Sequence, residues 1–461
     1  MEKFLGILVT PDDVQNEGLE PVFDNIAKTG AKAISFAPWI SHPAGKGRGS
    51  RLPDLHIDGY KRRLDRPLFG KREVYLESFL SYTPDEGLYS GGIYSPPTPA
   101  PPSDLDKDIP HQMIDAAHKN GMAVHVEVVP FLPPNVKPKD RPHLINNIQL
   151  HIPKVADRAC LNSPDAQYYG LALIEDTLNQ YPEVDGVVLD WAEFSAYLLT
   201  DHFSCFCEHC EAKALNAALD WLQIKQDVRA LWDWLHSLTP DRLLQSIRVV
   251  ENVGLAVEWL MRYPGWLDFF KLKAQSVEDF YKKVRSKLDL IGKSNVEITA
   301  RGWPTPFNLT SGMDYRALSE VCDVLAPKIF TFDHTAMPRW HGQQLMEWNA
   351  DLPESLVLKA VVSWLNLPDK LVDRKLTDYQ MPAPNEFHPI KDESYGYRID
   401  EIANQVAGKA QCCPYVHAYR NEEQWREIIS ILLEGEADGM WVQMYGYLSD
   451  QKIQILSQEW K

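Results

Sequence analysis

Several features are missing from this 461-residue sequence, and each absence argues against a class of protein. No apolar run approaches the roughly 18–20 residues that a membrane-spanning helix needs. The first ten residues, MEKFLGILVT, lack a basic segment followed by a long apolar stretch, so we expect a cytoplasmic protein unless a signal peptide was removed. Basic residues are outnumbered, with 47 Lys and Arg against 64 Asp and Glu. The resulting net charge of −17 disfavours nucleic acid and anionic membranes as partners.

Motifs of nucleotide binding and of serine nucleophiles are also missing. The chain has no G-x-S-x-G, no P-loop and no dinucleotide fingerprint after a strand, so we expect no organic cofactor.

The seven cysteines of the chain are an odd number, and Cys412 and Cys413 are adjacent. This is unlike the disulfide framework of a small secreted protein.

Short β-branched or apolar runs alternate with helical patterns along most of the chain. Eight such runs are expected to be strands, near residues 5, 33, 123, 186, 296, 325, 413 and 440. Eight strands alternating with helices predict a single (β/α)₈ TIM barrel spanning residues 1–461. The stretch SLVLKAVVSW (355–364) is apolar enough to be a ninth strand, but it lacks flanking turn residues. We therefore predict a helix there, and the strand count closes at eight.

Two long segments interrupt the alternation. Residues 41–107 are rich in Gly and Pro, and we predict an irregular insertion after the second strand that covers the mouth of the barrel and shapes specificity. Residues 211–292 show a helical pattern with few strand signals. We predict a helical insertion after the fourth strand, serving either as a side subdomain or as a contact in a homo-oligomer.

Polar residues occur towards the carboxyl ends of at least five predicted strands, where barrels of this class build their active sites. Any one of these could equally be a satisfied polar group of the core, but the whole set argues for a functional site, because unpaired ionisable groups are costly inside buried parallel strands. The candidates, in chain order, are Trp39, His125, Glu127, Asp190, Glu193, Arg301, Trp303, Lys328, Asp333, His417, Gln443 and Tyr445.

Glycoside hydrolysis is the chemistry that fits this set best, because it uses one protonated and one ionised carboxyl group. Asp190 is the first candidate for a catalytic carboxylate, and Glu193 and Glu127 are the alternatives for its partner. Arg301 and Lys328 would keep one carboxylate ionised. The other polar candidates would bind the sugar, with Trp39, Trp303 and Tyr445 as stacking platforms. Two alternatives stay open: a sugar-acid lyase or isomerase that uses Lys328 and Glu127, and a non-catalytic sugar-binding barrel.

Three cysteines lie within six positions in CFCEHC (205–210), and Cys160 precedes them in the chain. Cys160, Cys205, Cys207 and Cys210 together offer the four thiolates that a tetrahedral structural Zn²⁺ prefers. The alternatives are a Cys207–Cys210 disulfide, replacement of Cys160 by His202 or His209, and a reduced cluster without metal. In the metal-bound form the ion would join the loops after strands three and four and take no part in the reaction.

The region 155–215 combines C-x-N-x-P (160–164), DG-x-x-LD (185–190) and C-x-C-x-x-C (205–210). This combination resembles a group of barrels classed as glycosyl hydrolases, and it is more distantly similar to the family 42 β-galactosidases. In family 42 a comparable cysteine motif follows the fourth strand and joins an earlier cysteine around zinc. The resemblance implies a glycosidase with Asp190 and Glu193 in its site loop.

The sequence departs from the family 42 pattern at two places. That family has Asn-Glu at the end of strand four, whereas this chain reads Asp190-Trp191-Ala192-Glu193. No glutamate ends strand seven, CCPYVHAY (412–419), where the related enzymes keep their nucleophile. The retaining mechanism of those enzymes therefore cannot be carried over, and the sequence leaves the sugar, the stereochemistry and the second catalytic carboxylate open.

Overall fold

The computed structural model describes residues 2–46, 48–52, 63–149, 158–367, 374–380, 382–383, 386 and 393–461, with backbone alone at 331–333. The described chain forms twelve strands: β1 (Phe4–Leu8), β2 (Ala33–Phe36), β3 (Trp39–Pro43), β4 (Ser50–Leu52), β5 (Val74–Leu80), β6 (Ala123–Val128), β7 (Gly186–Leu189), β8 (Glu297–Gly302), β9 (Val324–Ile329), β10 (Gln411–Cys412), β11 (Tyr415–His417) and β12 (Gly439–Gln443).

A closed parallel barrel forms the centre of the molecule and confirms the predicted (β/α)₈ TIM fold. Its strands follow one another around the barrel in chain order, β1, β2, β6, β7, β8, β9, β11 and β12. The last strand pairs with the first, with Phe4 opposite Gly439 and Ile7 opposite Val442. The short β10 pairs with the start of β9 and β11 with its end, so the two pieces together make the seventh barrel strand.

The barrel interior is largely apolar at its amino-terminal and middle levels. Alternate residues of the strands point inwards, since the side-chain period of a strand is two. These residues form a small cluster of their own, made of Leu8, Ala33, Val324, Ala326, Cys413, Tyr415 and Trp441. The carboxyl ends of the strands carry charged side chains in place of this apolar filling, which is where the candidate site lies.

Seventeen α-helices are present in the described ranges, and none is both long and apolar enough to cross a membrane. They are α1 (Pro11–Glu17), α2 (Leu19–Thr29), α3 (Glu86–Tyr89), α4 (Ile109–Lys119), α5 (Pro164–Gln180), α6 (Glu208–Asn216), α7 (Trp221–Leu235), α8 (Pro240–Glu251), α9 (Val253–Arg262), α10 (Pro264–Leu290), α11 (Phe307–Ser311), α12 (Tyr315–Leu318), α13 (Thr331–Trp348), α14 (Glu354–Trp364), α15 (Glu393–Val406), α16 (Glu422–Glu434) and α17 (Asp450–Glu459).

Helix α14 corresponds to the ambiguous apolar stretch and is helical, as predicted. The segment 211–292 is helical as well, but its last helix belongs to the barrel. Helix α10 packs against α5 and leads into β8, which is the position of the helix between the fourth and fifth barrel strands. The helices added to the barrel are therefore α6 to α9.

The segment 41–107, expected to be irregular, contains an antiparallel sheet that corrects this expectation. Strand β5 pairs with β3, with Trp39 opposite Leu80, and with β4, with Leu52 opposite Val74. The alternation typical of strands is weak in this segment because only one of these strands, β5, is longer than five residues. Residues 53–62 of this segment lie outside the described chain.

Three aspartates occupy the same position at the amino-terminal ends of barrel strands. Asp185, Asp323 and Asp438 each stand one residue before a strand, at β7, β9 and β12. Each accepts a hydrogen bond of 2.8 Å from a backbone N–H of the neighbouring strand, namely from Val124, Ile298 and Cys412. This repeated contact joins adjacent strands at the end of the barrel opposite the candidate site.

Candidate active site and cysteine cluster

Five of the sequence-predicted site residues meet in one charged cluster at the carboxyl ends of β6 to β9. We call Glu127, Asp190, Glu193, Arg301 and Lys328 the carboxylate cluster. Arg301 and Lys328 are almost fully buried, with 1% and 2% of their surface exposed. Since a buried cation is costly without partners, their contacts with the three carboxylates explain how the barrel tolerates them.

Arg301 joins the first two carboxylates. Its Nη1 donates to Oε2 of Glu127 and to Oδ2 of Asp190, both at 3.2 Å, and its Nη2 donates to Oε1 of Glu127. The guanidinium carbon also lies 3.6 Å from the ring centroid of Tyr415, a cation–π contact. The planar guanidinium thus fixes the position of Glu127 through two parallel hydrogen bonds.

Lys328 joins Asp190 to Glu193. Its Nζ lies 3.1 Å from Oδ1 of Asp190 and donates to Oε1 of Glu193 at 2.8 Å. The other oxygen of Glu193, Oε2, accepts a 2.9 Å hydrogen bond from the backbone N–H of Trp303. The turn after β7 aims the two carboxylates at one ammonium, with Trp191 in the left-handed region at φ 55°.

The surroundings shift the pKa values of Asp190 and Glu193 in opposite directions. Burial raises the pKa of Asp190, but the charges of Lys328 and Arg301 outweigh it and hold this pKa below its ordinary value. Burial also raises the pKa of Glu193, and Lys328 and the Trp303 N–H offset it only in part, so this pKa stays above its ordinary value. Neighbouring carboxyl groups with separated pKa values are typical of an acid and base pair.

Two hydrogen-bond partners of Glu127 are not among the site residues predicted from the sequence. Its Oε1 accepts hydrogen bonds from the hydroxyls of Tyr415, at 2.8 Å, and Ser35, at 2.9 Å. Tyr415 lies in register with Lys328 of the neighbouring strand. It is two residues before His417, so the side-chain period of two places Tyr415 on the same face of the strand as His417.

The side chains of three residues predicted to bind sugar lie outside the carboxylate cluster. His125 is one inward position closer to the amino-terminal end of β6, where its Nε2 is 3.4 Å from Oε2 of Glu297, and burial lowers its pKa to about 4. The Tyr445 hydroxyl accepts from Asn25 of α2 and donates to Oε2 of Glu17. Trp303 is only 3% exposed, because its ring packs edge-on against Tyr197. None of these three rings is free to stack on a sugar in this conformation.

The other candidates lie on β11 and β12 or outside the described side chains. His417 is buried and its Nδ1 accepts from the backbone N–H of Tyr419 at 3.0 Å. Gln443 stands opposite His417 in the sheet register, and its Oε1 has no hydrogen-bond partner among the described residues. The side chain of Asp333 is outside the described part of the chain.

Trp39 lines a cavity of about 400 Å³ at the carboxyl ends of β2 and β6. The antiparallel sheet of the insertion forms one wall of this cavity and helix α5 forms another. Glu127 also contributes to its lining, which connects the cavity to the carboxylate cluster. The lining residues are Pro38, Trp39, Ser78, Leu80, Pro97, Thr98, Glu127, Val128, Val129, Leu132, Pro134, Tyr169, Leu173 and Thr177.

The four cysteines predicted to form a metal site come together in a buried cluster. We call Cys160, Cys205, Cys207 and Cys210 the cysteine cluster; their sulfurs all lie within 4.8 Å of one another. The Sγ of Cys160 is 3.5 Å from that of Cys210 and 3.4 Å from that of Cys207. A tetrahedral Zn²⁺ with Zn–S bonds of about 2.3 Å needs sulfurs roughly 3.8 Å apart, so four cysteines at this spacing fit the ion.

Two of the three alternatives for the cysteine motif, the disulfide and the histidine ligand, disagree with the structure. All seven cysteines are free, so the structure contains no Cys207–Cys210 disulfide. His209 is directed to Asp140, 3.0 Å away, and His202 packs against His341. Neither histidine takes the place of Cys160, and a metal-free cluster of thiols stays open beside a metal site.

The similarity to a solved β-galactosidase structure agrees with the barrel fold. No family model and no curated protein matches the sequence. Among solved structures, the chain is similar to a β-galactosidase from the psychrophilic Marinomonas ef1, with a TM-score of 0.50, 10% identity and 96% of this chain covered. The chain spans about half, 54%, of that β-galactosidase chain. The catalytic domain of a β-amylase from Paenibacillus polymyxa aligns with a TM-score of 0.48, 9% identity and coverage of 99% and 98% of the two chains.

At these identities the likeness to the β-galactosidase shows a shared barrel and nothing finer. The sequence resemblance to family 42, and the motifs that carry it, therefore stay a prediction.

Proposed function

We propose that the protein is a glycoside hydrolase whose catalytic carboxyl groups are Asp190 and Glu193. The observation that carries the proposal is the contact of both carboxylates with one buried ammonium, Lys328, and their surroundings shift the two pKa values in opposite directions. A lowered pKa suits Asp190 as a nucleophile or a base for water, and a raised pKa suits Glu193 as the acid that assists the leaving oxygen.

The exposed fractions of the three carboxylate side chains favour Asp190 as the one that contacts the sugar. The side chain of Asp190 is 17% exposed, compared with 9% for Glu127 and 1% for Glu193. Glu193 must therefore release its contact with Lys328 before it can protonate a leaving group. Apo geometry of this kind is common in enzymes whose catalytic contacts tighten only when substrate binds. Glu127, engaged with Arg301, Tyr415 and Ser35, would position Arg301 beside Asp190.

Aryl glycosides test this assignment, with a panel of sugars and two leaving groups, 4-nitrophenolate and the better 2,4-dinitrophenolate. We expect wild type to release the phenol from at least one sugar. Asp190→Asn should lose at least about 10³-fold in kcat/KM on both, while Glu193→Gln should keep most activity on the dinitrophenyl substrate, which needs little protonation to leave. Equal losses for both leaving groups in Glu193→Gln would contradict its role as the acid.

The same panel separates the two rival functions. Release only from uronic acid substrates with an unsaturated product would indicate a lyase, and saturable sugar binding without turnover would indicate a binding barrel. Glu127→Gln is the matched control for Glu193→Gln. If it alone shows the dependence on the leaving group, Glu127 is the acid and the proposed pair is wrong.

We also propose that the cysteine cluster holds a structural Zn²⁺. Several N–H groups point at its sulfurs, from Asn162 to Cys160 and Cys210 and from His143 to Cys205, as is typical around thiolate ligands. The bound ion would supply cross-linking and no chemistry, because four protein ligands leave no open position. Metal analysis of the purified protein should find about one zinc per chain, and Cys207→Ser should contain none. If the protein is purified without metal and Cys207→Ser melts at the same temperature as wild type, the proposal is wrong.

A carbohydrate substrate follows from this proposal. Homo-oligomerisation, the cytoplasmic location and the division into one barrel with two insertions stay predictions.

A further inference from the structure

The cavity beside Glu127 has walls of a particular chemistry. Pro38, Trp39, Pro97 and Pro134 present flat apolar faces, and Leu173 of α5 and Leu80 of β5 complete the apolar lining. Its volume of about 400 Å³ falls within the range of small-molecule sites in proteins, roughly 300–1,000 Å³. Trp39 is only partly buried and lines the cavity, so part of its side chain is accessible to a ligand.

Three of the polar side chains that line the cavity already have partners. Thr177 shares a 2.9 Å hydrogen bond with the hydroxyl of Tyr82, and Ser78 shares one of 2.9 Å with Ser41. The carboxylate of Glu127 accepts from Arg301, Tyr415 and Ser35. A sugar ring with several hydroxyls would lose hydrogen bonds with water here and gain few, which is unfavourable. An apolar ring would lose none.

The cavity lies next to the carboxylate cluster on the same face of the barrel. Glu127 belongs to both, and Arg301 links Glu127 to Asp190. The cavity and Asp190 are therefore connected through two side chains, Glu127 and Arg301. Resting on the proposed hydrolase function, we propose that this cavity binds an aromatic aglycone, so that the natural substrates are aryl glycosides and not unsubstituted oligosaccharides. Trp39 would stack on the aglycone and not on the sugar.

A variant that fills the cavity mouth tests the proposal. Thr98 is exposed at the cavity, and Thr98→Trp should block it without disturbing the core. Ser103→Trp adds the same indole to an exposed position in the same loop, outside the lining residues, and is the matched control. Leu173→Phe, which narrows the cavity from α5, is a second variant should the first fail to fold.

The probes are methyl and 2-naphthyl glycosides of the same sugar, and free 2-naphthol, whose binding is followed by calorimetry. We expect Thr98→Trp to raise KM for the naphthyl glycoside and Kd for 2-naphthol about tenfold or more, and to leave KM for the methyl glycoside unchanged. Ser103→Trp should leave all three constants at their wild-type values. Equal kinetics of Thr98→Trp and wild type on the naphthyl glycoside would overturn the aglycone site and leave the hydrolase standing.

The binding arm separates the two proposals. If wild type binds 2-naphthol, Thr98→Trp does not, and no glycoside is hydrolysed, the cavity binds aromatic rings as inferred and the hydrolase function is wrong. If wild type does not bind 2-naphthol at millimolar concentration, the cavity assignment is overturned whatever the hydrolysis results are.

Discussion

Arg301 shows how strongly a single buried charge depends on its partners. It is 1% exposed and lies between Glu127, Asp190 and the ring of Tyr415. We predict that Arg301→Met destabilises the protein by about 3–5 kcal/mol, because it leaves the buried carboxylate of Glu127 without a cationic partner and Asp190 with Lys328 alone. The free energy of unfolding from urea titration measures the loss. Arg301→Met with Glu127→Gln should recover part of it, whereas additive losses would show that the two side chains are not coupled.

Asp13 lies in the first turn of α1, and its carboxyl group is buried. Burial raises its pKa to about 7, against the opposing hydrogen bonds from the Thr10 N–H and hydroxyl. A carboxyl whose pKa is raised by folding is stabilising while protonated, so its contribution is complete below the unfolded pKa near 4 and is lost as pH rises towards 7.

We therefore predict that Asp13→Asn is more stable than wild type at pH 8, by on the order of 3 kcal/mol, and similar to it at pH 4. Urea titrations from pH 4 to 8 measure the difference. A constant difference between the two proteins across this range would mean that Asp13 does not titrate with folding.

The aspartates that precede β7, β9 and β12 join neighbouring barrel strands and do not contact the candidate site. Asp438 accepts from the backbone N–H of Cys412 and is itself exposed. We predict that Asp438→Ala costs about 1 kcal/mol of unfolding free energy, the worth of one hydrogen bond, and leaves kcat/KM unchanged. Glu436→Ala, two residues away and also exposed, is the control and should cost less than half as much. A loss of activity in Asp438→Ala would contradict the purely structural role.

Helix α9 is an element without a buried residue. Val253, Val257 and Met261 form a stripe along it, with exposed fractions of 81%, 50% and 78%. We predict that replacing all three by Ser changes the unfolding free energy of the monomer by less than about 1 kcal/mol, because little apolar surface is buried there. A loss above 2 kcal/mol that depends on protein concentration would show that this face is covered in solution.

Charge is a property of the whole molecule. A net charge of −17 makes the folded chain repel itself, and salt screens this repulsion over about 10 Å at 0.1 M. The buried ion pairs of the carboxylate cluster are screened much less. We predict that the melting temperature rises by a few degrees between 10 and 200 mM NaCl, as followed by circular dichroism. A fall would mean that surface ion pairs outweigh the repulsion.

Local patterns determined much of this protein. The alternation of strands and helices predicted the barrel, because each strand and helix must bury one apolar face whatever its neighbours are. The order of strands then implied which polar residues share the carboxyl-terminal face, since parallel strands align their ends. The spacing of the CFCEHC motif likewise predicted that its cysteines could gather with Cys160.

Only the tertiary structure decided which of these residues meet. Arg301 pairs with Glu127 across 174 positions of sequence, a contact that depends on barrel closure and not on any local pattern. His125 shares the inward face of β6 with Glu127, yet two residues along a strand shift a side chain by roughly 6.6 Å, one layer deeper into the barrel. Tyr445 follows β12 closely, but the chain turns there and directs its ring to α2. Periodicity determines the face that a side chain occupies, whereas its depth and its partners are set by packing.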